Sequence, residues 1–352
     1  MKNETNPFNI SFGTEPLQKI SRPNESNEII YSFENENPES NTYILTGPIG
    51  CGKTIMLSSL RSYFSAQKNW VCVDLISYKD ILELFASTLY EEGKLKKLFT
   101  KKEFSFSFKG VSFSINGDKP VTNVITMLTI MLDYLKKQNK KILICIDEIS
   151  PNNEIRAFIQ AFQLFLNKNL PVYLLMTGLY SNVSSLENER NMTFLLRAPK
   201  IFLSPLNKEM ISKIYQSTLD VSDKEAINLS KFTKGYAFAY QLLGNILYKM
   251  NKKLIDEEVL FEFDSLIRER AYFKIYEELT EKEKEILKFA SKDGNEINKK
   301  IIEGLSLKAG TLSTYKKRLE DKGVIKTSQR GKLDWALPRF KEYLQYLSIY
   351  ED

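Results

Sequence analysis

Histidine is absent from the 352-residue chain, and cysteine is scarce, with Cys51, Cys72 and Cys145 alone. Lack of an imidazole excludes histidine acid–base catalysis and histidine metal ligands. Any reaction must therefore run on carboxylates, lysine, arginine and a hard metal ion. An odd number of cysteines at irregular spacing supports neither a disulfide framework nor a zinc site and points to reduced thiols. No apolar run approaches the ~20 residues that span a bilayer, so no membrane partner is expected. The opening MKNETNPFNISFG lacks the charged-then-apolar layout of an export signal, and the expected location is cytoplasmic.

What is present is concentrated at residues 47–54, GPIGCGKT, which fill the slots of the G-x-x-x-x-G-K-[ST] phosphate loop. Glycines at such positions let the backbone form a cup whose N–H groups face phosphate oxygens. Lys53 meets the β- and γ-phosphates as a point charge, and the Thr54 hydroxyl takes a place on Mg²⁺. An extended apolar run at 43–45 precedes the loop and a helical pattern at 55–64 follows it, as strand–loop–helix requires. The candidate nucleotide-binding set is Gly47, Pro48, Ile49, Gly50, Cys51, Gly52, Lys53, Thr54 and Ile55, with ATP and Mg²⁺ as the expected cofactors.

Residues 141–148, KILICIDE, form an apolar strand ending in two acids. Asp147 at the tip of a buried strand is placed to hold Mg²⁺, and Glu148 to polarise a water for attack on the γ-phosphate. From 42 to about 205 apolar strands alternate with amphipathic helices, the pattern of a parallel sheet covered on both faces. A segment at 103–115, EFSFSFKGVSFSI, breaks this rhythm with period-two alternation around a glycine turn, a β-hairpin. Its phenylalanines either pack on their own domain or protrude toward a partner. Beyond 206 the chain reads as helical at 208–218, 222–233 and 236–251.

The segment 279–347 orders three helices (281–290, 298–303 and 311–322), then a two-stranded ribbon with a basic tip, which is the order of a winged helix-turn-helix. Between Lys308 and Lys332 stand eight basic residues against two acids, Glu320 and Asp321. In the third helix Leu312, Tyr315 and Leu319 form an inward stripe. Thr311, Ser313, Thr314, Lys317 and Arg318, with Arg330 and Lys332 at the ribbon tip, are candidates for duplex DNA contact. Many winged helices contact proteins only, so a protein partner stays open.

The pair GPIGCGKT and ICIDE, followed by VYLLMTG, resembles the AAA+ superfamily of ATPases in its initiator-like and signal-transducing branches. The chain also resembles bacterial and archaeal AAA ATPases that open with a motif like NPFNISFG and carry a C-terminal winged helix. The resemblance implies an α/β fold, a P-loop NTPase parallel sheet with a small helical lid and a winged-helix domain. The implied borders are 1–205 for the core, with a hairpin insertion about 103–117, then 206–275 for the lid and 276–352 for the winged helix.

It further implies that Thr177 takes a polar sensor position and that Arg197 acts on a neighbouring subunit's γ-phosphate in a nucleotide-dependent homo-oligomer. Arg22 falls where the family's N-terminal segment lines the adenine pocket. The lid stretch TKGYAFAYQLLG departs from the family: Ala237 stands where proline is usual, and there is no arginine, leaving Lys234 as a substitute cation. The expected function is an ATP-hydrolysing switch acting on DNA. The alternatives are a signalling ATPase that binds protein partners and a nucleotide-binding scaffold with negligible turnover.

Overall fold

The computed structural model describes residues 5–11, 16–78, 80–91, 105–107, 112–114, 123–292, 297–326 and 333–350. Two compact bodies share the chain. The first is built from 23–46 and 54–201, the second from 1–22, 47–53 and 202–352.

The first body runs α1 (Pro23–Glu34), β1 (Thr42–Thr46), α2 (Lys53–Ser65), β2 (Trp70–Ile76) and α3 (Ile81–Glu91). It continues with β3 (Ser105–Ser107), β4 (Ser112–Ser114), α4 (Val124–Lys137), β5 (Lys141–Ile149), α5 (Asn153–Asn167), β6 (Val172–Gly178), α6 (Tyr180–Glu187), a 3₁₀ segment (Arg190–Arg197) and β7 (Lys200–Phe202). The large sheet has the order β2-β5-β6-β1-β7, and its β2·β5, β5·β6 and β1·β6 pairs are parallel.

Strand alternation explains how this sheet is covered twice. Ile44, Val71, Ile142, Ile144 and Leu174 face Phe158 and Phe162 of α5 and the apolar sides of α3 and α4. Residues in the opposite phase, Tyr43, Trp70 and Tyr173, join Phe33 of α1 and Phe64 of α2 in an aromatic cluster. The Lys141 ammonium lies over the Trp70 and Tyr173 rings and donates to the Phe33 carbonyl at 2.8 Å. Asn123 and Asn152 cap α4 and α5 through side-chain oxygens that accept first-turn N–H groups.

The expected hairpin forms as the antiparallel pair β3–β4, with Phe106 opposite Phe113. Its expected turn at Lys109 and Gly110 lies outside the described residues.

The second body is helical: α7 (Lys208–Leu219), α8 (Asp223–Phe232), α9 (Ala237–Met250), α10 (Glu257–Ile267), a π-turn (Arg268–Tyr272) and α11 (Phe273–Glu277). Next come α12 (Glu281–Lys292), α13 (Ile297–Gly304), α14 (Ala309–Asp321), the antiparallel strands β8 (Ile325–Lys326) and β9 (Asp334–Trp335), and α15 (Phe340–Tyr350). One apolar core runs through these helices, from Ile211 and Leu243 to Ile286, Leu312 and Leu344. The NPFN motif docks onto α9: Phe8 is buried between Tyr215 and Tyr240, and Asn245 Nδ2 donates to the Phe8 carbonyl. Gly244 is required there, because a Cβ would sit 2.5 Å from the Phe8 ring.

The helix–helix–helix–ribbon order at the C-terminus is as expected, and α15 follows it as an addition. The stripe of α14 holds one surprise. Lys316 is buried along with Leu312 and Leu319 while Tyr315 is only partly covered, and the Lys316 ammonium donates to Asn298 Oδ1 at 3.1 Å. No helix is long and apolar enough to cross a membrane among the described residues.

Candidate functional site

The phosphate loop 47–53 belongs to the second body, and all five carbonyls from Gly47 to Cys51 are engaged there. Lys53 Nζ donates to Gly47 O at 2.8 Å and Pro48 O at 3.0 Å, and the Cys51 N–H also reaches Pro48 O. The Tyr236 hydroxyl donates to Ile49 O at 2.5 Å, and the Phe238 N–H to Gly50 O at 3.0 Å. Arg22 closes the set by donating from Nη2 to Cys51 O at 2.8 Å, while its guanidinium also holds Ser204 O. With the carbonyls of Gly47 to Cys51 taken by these donors, they do not oppose an anion at the loop, where backbone N–H groups and Lys53 would meet it. Gly50 has φ of +75°, and a Cβ on it would lie 2.6 Å from the Tyr236 oxygen.

The acidic tip belongs to the first body. Register counting shows why it projects: Ile146 pairs with Met176 and Ile149 with Gly178, so β5 carries one extra residue against β6. This β-bulge falls on Asp147-Glu148, with Glu148 at φ +56° and its side chain exposed. Bulges re-aim side chains, and a non-glycine residue in the left-handed region persists only when its neighbours hold it.

Thr177 is that neighbour. Fully buried on β6, it accepts the Glu148 N–H at 2.8 Å and donates to Asp147 Oδ1 at 2.5 Å. Asp147 Oδ2 accepts the Thr54 hydroxyl at 2.8 Å. Ser77 adds a bond to the Glu148 carbonyl at 3.2 Å.

Geometry therefore gathers Thr54, Asp147, Glu148 and Thr177 in one body, and Gly47, Pro48, Ile49, Gly50, Cys51, Gly52 and Lys53 in the other, with Lys53 and Thr54 consecutive in the chain. Ile55 sits in the first turn of α2, partly covered. Arg197 is exposed at the end of the 3₁₀ segment. Thr311, Ser313, Thr314, Lys317 and Arg318 all lie on the exposed face of α14, where Lys317 pairs with Asp321 at 2.9 Å. Arg330 and Lys332 lie outside the described residues.

Lys234 is not positioned as a substitute cation at the loop. Its ammonium donates to Trp335 O at 2.8 Å, and burial there lowers its pKa. Sequence reasoning missed Tyr236. The available signal was a tyrosine at an N-cap, where serine, threonine, aspartate or asparagine normally serves the helix.

Residues 22–178 match the model of the KAP family P-loop domain, and residues 269–344 match a domain of unknown function, DUF8462. No curated protein sequence matches the chain. Among solved structures, the Walker-type ATPase PABY2304 of Pyrococcus abyssi is similar at 14% identity and a TM-score of 0.61, covering 93% of this chain and 96% of that one. The ORC2 protein of Aeropyrum pernix is similar at 11% identity and a TM-score of 0.51, covering 97% of each chain.

Proposed function

On a P-loop NTPase fold of the AAA+ type, we propose that this chain is an ATP-binding and ATP-hydrolysing switch whose C-terminal module contacts DNA. The observation that carries the nucleotide reading is the Thr54 hydroxyl on the Asp147 carboxylate at 2.8 Å, across 93 residues of sequence. Two hard oxygen donors so placed suit Mg²⁺, which takes one or two protein oxygens and completes its shell with phosphates and water. When bound, the ion would neutralise charge developing on the β- and γ-phosphoryl oxygens.

The remaining roles fall to the chain's own groups. Loop N–H groups and the Lys53 ammonium bind the phosphates. Glu148, exposed on the bulge, orients the attacking water and accepts its proton. Thr177 holds both acids in place. The ORC2 structure was solved with ADPNP and ADP, which favours an adenine nucleotide. The exposed polar and basic side chains of α14 support the DNA reading, with the C-terminal module serving as a winged helix.

A second reading, a signalling switch that recruits a protein, draws on a different contact. Gly323, just after α14, lies so close to Pro48 of the phosphate loop that a Cβ would approach the proline ring to 2.6 Å. A module seated on the loop in this way is suited to report nucleotide state.

The test separates binding from turnover. Lys53→Ala should lose MgATP binding by at least tenfold, because the loop loses its phosphate cation. Glu148→Gln should bind MgATP within about threefold of wild type and turn over at least a hundredfold more slowly, since removing one group that acts only in the transition state can cost ~3 kcal/mol or more. Calorimetry and phosphate release measure the two effects. Equal loss of binding in both variants would reject the division of roles.

A further inference from the structure

We propose that Tyr236 and the N-terminal turn of α9 form a latch that holds the phosphate loop in its anion-receiving shape, making Tyr236 a positioning residue for nucleotide. The proposal rests on the nucleotide-binding reading above.

Each helix leaves its first N–H groups without internal partners, and a capping side chain normally takes one of them. At α9 the N-cap is Tyr236, whose side chain makes no cap bond. Instead the Phe238 N–H, second in the helix, donates to Gly50 O of the phosphate loop. The loop thus supplies an acceptor to the helix end.

Tyr236 makes the exchange reciprocal. Its hydroxyl donates to Ile49 O, the carbonyl just before, so two successive loop peptides are held from one helical turn. The ring is almost fully buried, and burial pushes the phenol pKa well above its usual range, keeping the donor proton in place. Backbone at 233–235 fixes the approach, because the Tyr236 N–H bonds to Thr233 O and Gly235 O accepts the Leu206 N–H. Gly50 completes the fit, since only a residue without a Cβ allows Tyr236 and Phe238 this close.

This arrangement gives the TKGYAFAYQLLG stretch a way to couple to the loop without an arginine. The contact runs through loop carbonyls, so it acts on the shape of the cup and not on phosphate charge. Losing the tyrosine hydroxyl removes the Ile49 carbonyl's donor and leaves the cup free to turn that carbonyl inward, toward an incoming anion.

The experiment compares Tyr236→Phe with wild type in two measurements. Amide hydrogen exchange without nucleotide should show the Phe238 N–H protected in wild type and exchanging at least fivefold faster in the variant. Amides of α7, such as that of Tyr215, should be unchanged. Titration with MgADP should then show affinity lowered about five- to tenfold in the variant, within the range expected for loss of one hydrogen bond. Equal Phe238 exchange in the two proteins overturns the latch. Faster exchange with equal MgADP affinity makes the contact structural only and overturns the positioning role. If wild type binds neither MgADP nor MgATP, the nucleotide reading and the positioning role fall, while the exchange result still decides the latch.

Discussion

Thr177 has one hydroxyl and two tasks, accepting the Glu148 N–H and donating to Asp147 Oδ1. The first keeps Glu148 in a left-handed conformation that a glutamate does not adopt unaided. The second leaves Asp147 Oδ2 to the Thr54 hydroxyl. Thr177→Val preserves the shape and removes both bonds. Expected outcomes are a stability loss of about 1–3 kcal/mol by denaturant unfolding, from buried polar groups left unpaired. Turnover should fall roughly tenfold or more while MgATP affinity stays within about threefold, since the acids lose their aim and the loop keeps its donors. Thr177→Ser should restore turnover. The reading of Thr177 as a polar sensor rests on resemblance; its contacts, with the Glu148 N–H and Asp147 Oδ1, are compatible with that position.

At the scale of elements, α14 offers the cleanest test of the DNA reading. Its buried side is Leu312, Lys316 and Leu319, so Lys317 and Arg318 can be changed without touching the core. Replacing both with glutamine should leave the fold and MgATP binding intact. If both meet phosphates, the log–log salt slope of duplex binding should shrink by about 1.8, at ~0.9 per lost contact. Lys317 already shares its charge with Asp321 and Arg318 lies near the Tyr315 ring, so a smaller change would show that these local partners persist. A slope that does not move would shift weight to the protein-partner reading.

At the scale of the whole molecule, the trans role expected of Arg197 would make a second copy part of the reaction centre. Arg197 is exposed on the same body as Glu148, where a second copy could meet it. Arg197→Ala should bind ATP nearly normally and hydrolyse it at least tenfold more slowly, because an arginine finger acts on charge that develops in the transition state. Mixing that variant with Glu148→Gln should recover part of the activity, since some interfaces would then pair an intact arginine with an intact glutamate. Sedimentation in MgATP read beside turnover checks this. Monomers with no recovery on mixing would end the trans role.

Local chemistry made much of this legible in advance. GPIGCGKT is conspicuous in the sequence because the phosphate-loop pattern asks for backbone freedom and one cation at fixed spacing. The central strands β1, β5 and β6 were legible because both faces are largely buried, which writes nearly unbroken apolar runs. The polar tip of β5 was legible as Asp147-Glu148 for the same reason, since acids end an apolar run conspicuously. Shorter or more polar elements left weaker marks, and α6, α10, α15 and the 3₁₀ segment were found only in the structure. Long-range polar contacts left none at all. Nothing in composition or period marks a one-residue bulge, a threonine shared by two acids, Lys234 turned to the Trp335 carbonyl, or a tyrosine holding Ile49 O. Each depends on a pairing of residues distant in sequence, and the folded chain decides it, because a buried donor or acceptor takes whichever partner the packing brings within reach.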